Sequence, residues 1–374
     1  MPSRIPWLAR VLFAAALVFT LIGVIEMGFM IYDAATGRVS ALQPDLGVGV
    51  RSWTVHHAMR PGYSSPSVHT NSFGLRSPEV AVPKPAGTFR ILLLGDSFTY
   101  GLNASDDQVF ARRLEERLRH TRGTEVVEVV NAGVLSYCPL LEYLQYRHHL
   151  QGLEPDLVIL NFDMSDVQDH MDYSRHTIWS SDGMPLYVTQ ETLGRAQRAF
   201  PELLSARWAL WRWNGLSRRI ESKVEGMPFT RDLDRYLWAL DNGAPWDREA
   251  RDAMQPIAHL AAMLRHQRIP LALATYPQPW QVSAEATPRG PIRAQYGIGA
   301  NTVHLNDRPF KLLDAFAAEI GIPFVNAAET FRAAPDPAGL FLTADFHFSP
   351  RGHQVYADFL GDFILTHPAM TSPE

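Results

Sequence analysis

The alternation of short apolar runs with amphipathic segments constrains the fold of this chain more than any other feature. Residues 90–95 read Arg-Ile-Leu-Leu-Leu-Gly, without the polar alternation of a strand that has one face in water. Such runs are typical of strands buried on both faces. Strands are expected at 90–95, 125–130, 156–160, 271–276 and 323–326, and helices around 110–118, 139–150, 251–266, 308–320 and from 350 onward. This order predicts an α/β fold, a three-layer α/β/α flavodoxin-like domain with a five-stranded parallel sheet.

The N-terminus carries a second constraint, because residues 11–32 are almost all apolar. A helix of that length spans roughly 30 Å, the hydrocarbon thickness of a bilayer. Arg4 and Arg10 precede the segment and Asp33 follows it, so the charges favour an N-terminus that stays in the cytoplasm. A cleavable signal peptide is the alternative, but its apolar core would be shorter and no A-x-A site follows. We expect an uncleaved transmembrane anchor at residues 1–33.

The amino-acid composition of the rest of the chain indicates a linker, a main domain with an insertion, and a tail. Residues 34–89 are rich in Pro, Ser, Gly and His and show no sustained period, which indicates a linker that becomes an ordered lead-in. The main domain is expected at 90–366, with an insertion at 163–247 and a tail at 367–374. The insertion holds six of the nine tryptophans. It is interpreted as an amphipathic helix that packs on the domain, the alternatives being a lid over the catalytic crevice, a sugar-stacking wall or a face that rests on the bilayer.

Charge and cysteine content exclude several classes of function. The net charge is −5 and no block of lysines or arginines occurs, which argues against nucleic acid as a partner. The single cysteine, Cys138, can form neither an intramolecular disulfide nor a cysteine-ligated zinc site. The adjacent histidine pairs make poor chelates because neighbouring side chains point apart. We therefore expect neither a metal nor another cofactor.

The first apolar run ends in Gly95-Asp96-Ser97. In open parallel sheets the reactive groups collect at the carboxyl ends of the strands. A glycine permits a sharp exit from the strand, and the serine hydroxyl that follows is then presented in the crevice. Taken alone, Asp96 and Ser97 could equally cap a turn.

The far end of the chain supplies the partners that a nucleophilic serine needs. Ser349 and Pro350 fit the N-cap and the first position of the last helix, which places His347 in the loop just ahead of it. Asp345 lies two residues earlier, close enough to orient the imidazole. A neutral imidazole can remove the serine proton while a carboxylate fixes its tautomer. The alternative, a turn histidine bonded to the backbone, accounts for His347 but not for its combination with Ser97.

Three stretches of this sequence resemble conserved blocks of the SGNH/GDSL hydrolases, a family named for blocks that carry Ser, Gly, Asn and His. They read Leu-Gly-Asp-Ser-Phe-Thr-Tyr-Gly at 94–101, Val-Asn-Ala-Gly at 130–133, and Asp-Phe-His-Phe-Ser-Pro-Arg-Gly-His at 345–353. Asn-Ser-Phe-Gly-Leu-Arg at 71–76 is similar to the lead-in of some membrane-tethered members. The resemblance covers about residues 70–162 and 250–366.

The resemblance implies catalytic roles for four positions. Ser97 would be the nucleophile, His347 the general base and Asp345 its orienting partner. Family members build the oxyanion hole from two backbone N–H groups, which fall on Ser97 and Gly133, and from an asparagine side chain.

The third block departs from the family pattern. Where the family has Gly-x-Asn-Asp, residues 161–166 read Asn-Phe-Asp-Met-Ser-Asp. Aligning Asp166 with the family aspartate puts Ser165 at the asparagine position, and a hydroxyl has a shorter reach than an amide. Asn161 is the less favoured alternative, since it lies at the end of a strand.

These observations predict a serine esterase that cleaves an acyl ester through an acyl-enzyme on Ser97. Its substrate would be an ester-bearing small molecule, lipid or glycan. The catalytic domain would lie on the extracytoplasmic, periplasmic side of the cell membrane. One alternative is an O-acetyltransferase that acts on an exported glycan. The other is a non-catalytic binding protein that retains the fold, and the altered third block is its main support.

Overall fold

A computed structural model describes residues 7–36, 49–52, 54–121, 126–188, 235–241, 243, 246–286, 291–343, 345–367 and 370. The described residues fall into two units. In the first, helix α1 (Trp7–Thr36) is long and apolar enough, over Val11–Tyr32, to cross a membrane. The second unit holds all the described residues from Gly49 onward. The tryptophan-rich part of the insertion, at 204–224, lies outside the described residues.

The second unit is built on a parallel sheet of five strands. The strands of this unit are β1 (Gly49–Arg51), β2 (His57–Met59), β3 (Thr88–Leu94), β4 (Val126–Asn131), β5 (Leu157–Phe162), β6 (Thr177–Trp179), β7 (Pro185–Val188), β8 (Leu271–Thr275) and β9 (Phe324–Asn326). The order across the large sheet is β4-β3-β5-β8-β9, and all four pairings are parallel. The remaining strands form two antiparallel pairs, β1 with β2 and β6 with β7. The predicted five-stranded flavodoxin-like sheet is confirmed.

Helices cover both faces of this sheet. They are α2 (Ser97–Tyr100), α3 (Phe110–Thr121), α4 (Pro139–Gln145), α5 (Asp166–Ser174), α6 (Asp247–His266), α7 (Pro291–Gln295), α8 (Arg308–Ile320), α9 (Ala328–Arg332) and α10 (Pro350–Thr366). Helices α3 and α10 pack together, whereas α4, α5 and α8 pack on α6. The helix predicted at 139–150 is α4 followed by a π-helical turn, Tyr146–Leu150.

The core explains why the apolar runs form these elements. All seven residues of β3 are buried, as expected for a central strand with helices on both faces. On one face, Phe110, Leu114 and Leu118 recur every fourth residue of α3 and join the same core cluster as Ile91 and Leu93. Each such side chain stabilises the fold by about 1.5–3 kcal/mol through its removal from water.

The sheet order also positions the functional loops. The chain reverses its direction of travel across the sheet between β3 and β5, the central neighbours. The loops that follow these two strands therefore leave the same edge and diverge, which opens a crevice at their carboxyl ends. Ser97 follows β3 and Ser165 follows β5, so both lie at this switch point.

Candidate active site

Ser97 is the first residue of the short helix α2, and its position is fixed by the residue before it. The buried Asp96 carboxylate caps α2 by accepting a hydrogen bond from the Phe98 N–H at 2.8 Å. The same oxygen accepts the hydroxyl of Tyr276, on the strand side of the crevice, at 3.0 Å. Ser97 itself is only partly buried, so its hydroxyl is held rigidly yet remains open to a substrate.

The structure brings together the three side chains that the sequence singles out. His347 Nε2 lies 2.8 Å from Ser97 Oγ, and His347 Nδ1 lies 2.8 Å from Asp345 Oδ1. The loop that carries His347 ends at Ser349, whose hydroxyl accepts the Gly352 N–H at 3.2 Å and caps α10. The hydrogen bonds run from carboxylate to imidazole to hydroxyl, which is the arrangement that activates a serine.

Two aromatic rings enclose the imidazole of His347. The Phe98 and Phe346 ring centroids lie 4.7 Å and 4.4 Å from its own. Only 4% of His347 is exposed. Contacts between these rings and the imidazole hold it in place beside Ser97.

The Asp345 carboxylate is kept ionised by its neighbours. Burial by itself would raise the pKa of Asp345, but the hydrogen bond and charge of His347, the Phe346 N–H at 2.6 Å and the Asn103 amide outweigh it, and the net pKa is lowered. A carboxylate that stays charged can stabilise an imidazolium next to it. Sequence reasoning missed Asn103, because only its position in the turn after the serine block could have drawn attention to it.

The two predicted side-chain donors of the third block lie in different surroundings. Asn161 is fully buried; its amide donates to the Leu94 carbonyl at 2.9 Å and accepts the Tyr356 hydroxyl at 2.7 Å. One end of this amide therefore joins β5 to β3, and the other holds the sheet to α10. Ser165 lies in the loop after β5, where its backbone N–H donates to Asp163 Oδ1 at 2.7 Å. Its hydroxyl lies near enough to that carboxyl group to counteract part of the rise in the pKa of Asp163 that burial causes.

Several buried carboxyl groups lie close to one another and include Asp96, next to Ser97, and sequence analysis did not predict them. Burial raises the pKa of Asp96, Glu142, Asp163 and Asp166. Burial also raises the pKa of Asp169 to about 7, although the guanidinium of Arg235, 2.8 Å away, counteracts it. Raised pKa values favour the neutral acids, which limits the negative charge that would oppose an oxyanion.

Gly133 packs directly against the serine helix. A Cβ at this position would lie 2.3 Å from the Tyr100 nitrogen and 2.6 Å from the Thr99 carbonyl carbon, closer than real Cβ atoms approach backbone. Its N–H donates to Asn131 Oδ1 at 3.0 Å. A substrate oxygen that used this N–H would have to share it with Asn131.

Histidines outside the triad serve the fold. His56 and His57 bond each other through their Nδ1 atoms at 2.9 Å, and His57 Nε2 bonds the Leu135 carbonyl at 2.7 Å. His353 is buried in α10, and burial lowers its pKa to about 3. Within the described parts of the chain, no group of three or more His, Cys, Asp or Glu side chains is arranged to hold a metal ion.

We predict that Gly133→Ala displaces α2 and lowers both stability and activity, because neither backbone neighbour of the new methyl group can move independently. Thermal unfolding should show a loss of about 1–3 kcal/mol, typical of overpacking, together with reduced ester cleavage. Gly152→Ala is the matched control, since an added Cβ there meets nothing within 4 Å. A Gly133→Ala protein with unchanged melting temperature and rate would show that this contact is not needed.

This chain matches a known protein family over most of its length. The GDSL-like Lipase/Acylhydrolase family matches this chain over residues 93–355. No match was found among curated protein sequences.

Solved structures similar to this chain include a lipase/acylhydrolase from Enterococcus faecalis, with 15% identity, coverage of 74% of this chain and 95% of that one, and a TM-score of 0.40. The acetyl xylan esterase AlAXEase is 13% identical over 74% of this chain and 99% of its own, with a TM-score of 0.41. A putative lipolytic protein of the G-D-S-L family from Desulfitobacterium hafniense is 13% identical over 73% and 98%, with a TM-score of 0.39.

Proposed function

Because the chain belongs to the GDSL-like lipase/acylhydrolase family and is therefore an ester-cleaving hydrolase, we propose that it acts through an acyl-enzyme formed on Ser97. The observation that carries the proposal is the 2.8 Å contact between Ser97 Oγ and His347 Nε2. Its second support is the ionised Asp345 on the other imidazole nitrogen.

The reaction follows from this geometry. His347 Nε2 accepts the proton as Ser97 Oγ attacks the ester carbonyl, and the resulting imidazolium is stabilised by Asp345. The imidazolium then returns its proton to the departing alcohol oxygen as the bond to carbon breaks, which leaves the acyl group on Ser97. Water then gives one proton to His347 as its oxygen attacks the acyl carbon. The second tetrahedral intermediate collapses with cleavage of the bond to Ser97 Oγ, which takes the proton back from the imidazolium, and the carboxylic acid is released.

The oxyanion of each tetrahedral intermediate needs hydrogen-bond donors. We propose the backbone N–H groups of Ser97 and Gly133 and the hydroxyl of Ser165, whereas Asn161 is occupied by the Leu94 carbonyl and the Tyr356 hydroxyl. Such donors typically contribute about 3–4 kcal/mol to the transition state. Ser165 would have to turn its hydroxyl away from the Asp163 carboxyl to donate to substrate.

We predict that Ser97→Ala abolishes both ester cleavage and labelling by a fluorophosphonate probe, because only an activated serine reacts. Cleavage of p-nitrophenyl acetate should fall by about 10⁴-fold or more. Ser181→Ala, at an exposed turn, is the matched control and should label like the unaltered protein. Labelling that survives Ser97→Ala, or an unaltered protein that does not label at all, would contradict the proposed acyl-enzyme on Ser97.

Ser165 and Asn161 are the two candidates for the side-chain donor of the oxyanion hole. They can be distinguished by measuring how each alanine variant changes the reaction rate and the melting temperature. We predict that Ser165→Ala lowers kcat at nearly constant melting temperature. Asn161→Ala should instead lower the melting temperature, because it leaves a buried carbonyl and a buried hydroxyl without partners, at about 1–3 kcal/mol each. A larger rate loss in Asn161→Ala than in Ser165→Ala, measured well below both melting temperatures, would reverse the assignment.

We also propose that α1 is an uncleaved single-pass anchor with the catalytic unit on the extracytoplasmic, periplasmic side. The support is the length and apolarity of Val11–Tyr32 and the arginines that precede it, Arg4 and Arg10. An ester-bearing small molecule, lipid or glycan would then be met outside the cytoplasm.

Because Cys138 is the single cysteine and is buried, a cysteine introduced at Ser181 reports the location of the catalytic unit. We predict that Ser181→Cys is labelled by a membrane-impermeant maleimide in intact cells, on a full-length chain of 42.0 kDa that sediments with membranes. The unaltered chain is the control and should remain unlabelled. Labelling only after lysis would place the unit inside, and a shorter chain would indicate a cleaved signal sequence.

A further inference from the structure

The Asp345 carboxylate is held at both oxygens, and only one of them faces the histidine. Oδ1 accepts hydrogen bonds from His347 Nδ1 at 2.8 Å and from the Phe346 N–H at 2.6 Å. Oδ2 accepts the side-chain amide of Asn103, 242 residues earlier in the sequence. Within the described chain, that amide is the hydrogen-bond partner of Oδ2, so it fixes the rotation of the carboxylate plane about its last bond.

We propose that Asn103 is a positioning residue of the esterase site, which sets the orientation of the Asp345 carboxylate and, through it, that of the His347 ring. The inference rests on the proposed function, because it matters only if Asp345 and His347 serve Ser97. It extends the hydrogen-bonded series to a fourth side chain that the family blocks in this sequence do not contain, since Asn103 lies two residues beyond the first block.

The backbone that carries Asn103 is held independently of the triad. Asn103 has a φ of 65°, a left-handed conformation that asparagine tolerates better than most residues. The guanidinium of Arg76 donates to the carbonyls of Tyr100, Gly101 and Ala104 at 3.0, 2.7 and 2.7 Å. These carbonyls lie on both sides of Asn103, and the Arg76 side chain is only 1% exposed.

The Arg76 side chain is itself anchored. Its Nε donates to Asp106 Oδ1 at 2.8 Å, and its second terminal nitrogen also donates to the Ser67 carbonyl at 3.1 Å. A planar guanidinium with five donors suits such a task because each nitrogen can bind a separate carbonyl. The turn that presents Asn103 is therefore held by the lead-in segment at residues 67–76, not by the catalytic loop itself.

The direction in which loss of Asn103 shifts the pH dependence of the rate follows from its effect on the pKa of Asp345. A carboxylate that loses one donor binds protons more readily, so the pKa of Asp345 rises without Asn103. A protonated Asp345 can no longer stabilise the imidazolium that forms during the reaction. Loss of Asn103 therefore moves the acid limb of the pH–rate profile to higher pH.

Asn103→Gly is the decisive variant, because glycine adopts the left-handed conformation without strain and lacks only the amide. With p-nitrophenyl acetate we expect kcat to fall about tenfold, the loss of one hydrogen bond to a charged group, with KM and melting temperature nearly unchanged. The acid limb of kcat/KM should move to higher pH. Asn103→Asp should move it further, since a second negative charge faces Asp345.

Asn301→Gly is the matched control, because Asn301 is also exposed and left-handed, with a φ of 60°, in a different loop. It should leave the rate and the pH profile as they are. The proposal is overturned if Asn103→Gly has the acid limb of the unaltered protein, or if its rate loss merely follows a lower melting temperature. Ser97→Ala separates this result from failure of the proposed function: if activity depends on Ser97 while Asn103→Gly is normal, only the positioning role is wrong.

Discussion

The hydrogen bond between Ser97 and His347 joins two loops that are 250 residues apart in sequence, and the parallel sheet is what allows it to form. Parallel strands deliver all their carboxyl ends to one edge. The loop after β3 and the loop before α10 therefore meet without either of them being long. In the loop before α10, the Leu342 N–H donates to the His347 carbonyl at 2.9 Å. This backbone hydrogen bond holds the loop in shape independently of its contact with Ser97.

Several polar side chains are buried close to this contact. Asp96, Asp163 and Gln278 are all buried, and the Gln278 amide donates to Asp163 Oδ2 at 2.5 Å. Buried polar groups are costly unless they are hydrogen-bonded. Because these buried polar side chains lie at the carboxyl ends of the strands, we interpret this edge of the sheet as its functional part. The apolar cluster that contains α3, in contrast, stabilises the fold.

The fold could be predicted from the sequence because its signals are local. The apolar run of β3 and the cap formed by Ser349 and Pro350 depend on a few neighbouring residues, and the predicted strands lie within two residues of their observed bounds. The triad side chains could be proposed because strand-end topology brings them together. The buried carboxyl groups and Asn103 could not, since their partners are distant in sequence and short polar residues in loops carry no periodic pattern.

The segment between α1 and β3 has the composition of a linker, yet Arg76 within it holds the turn beside Asp345 by hydrogen bonds to the Gly101 and Ala104 carbonyls. Cutting the polypeptide between Arg76 and β3 would therefore leave a fragment that contains all five strands of the large sheet but lacks Arg76. A protease that acts before residue 49 would instead set free a body that still contains it. The site of cleavage would thus decide whether proteolysis yields a fragment with a competent site or one with an impaired site.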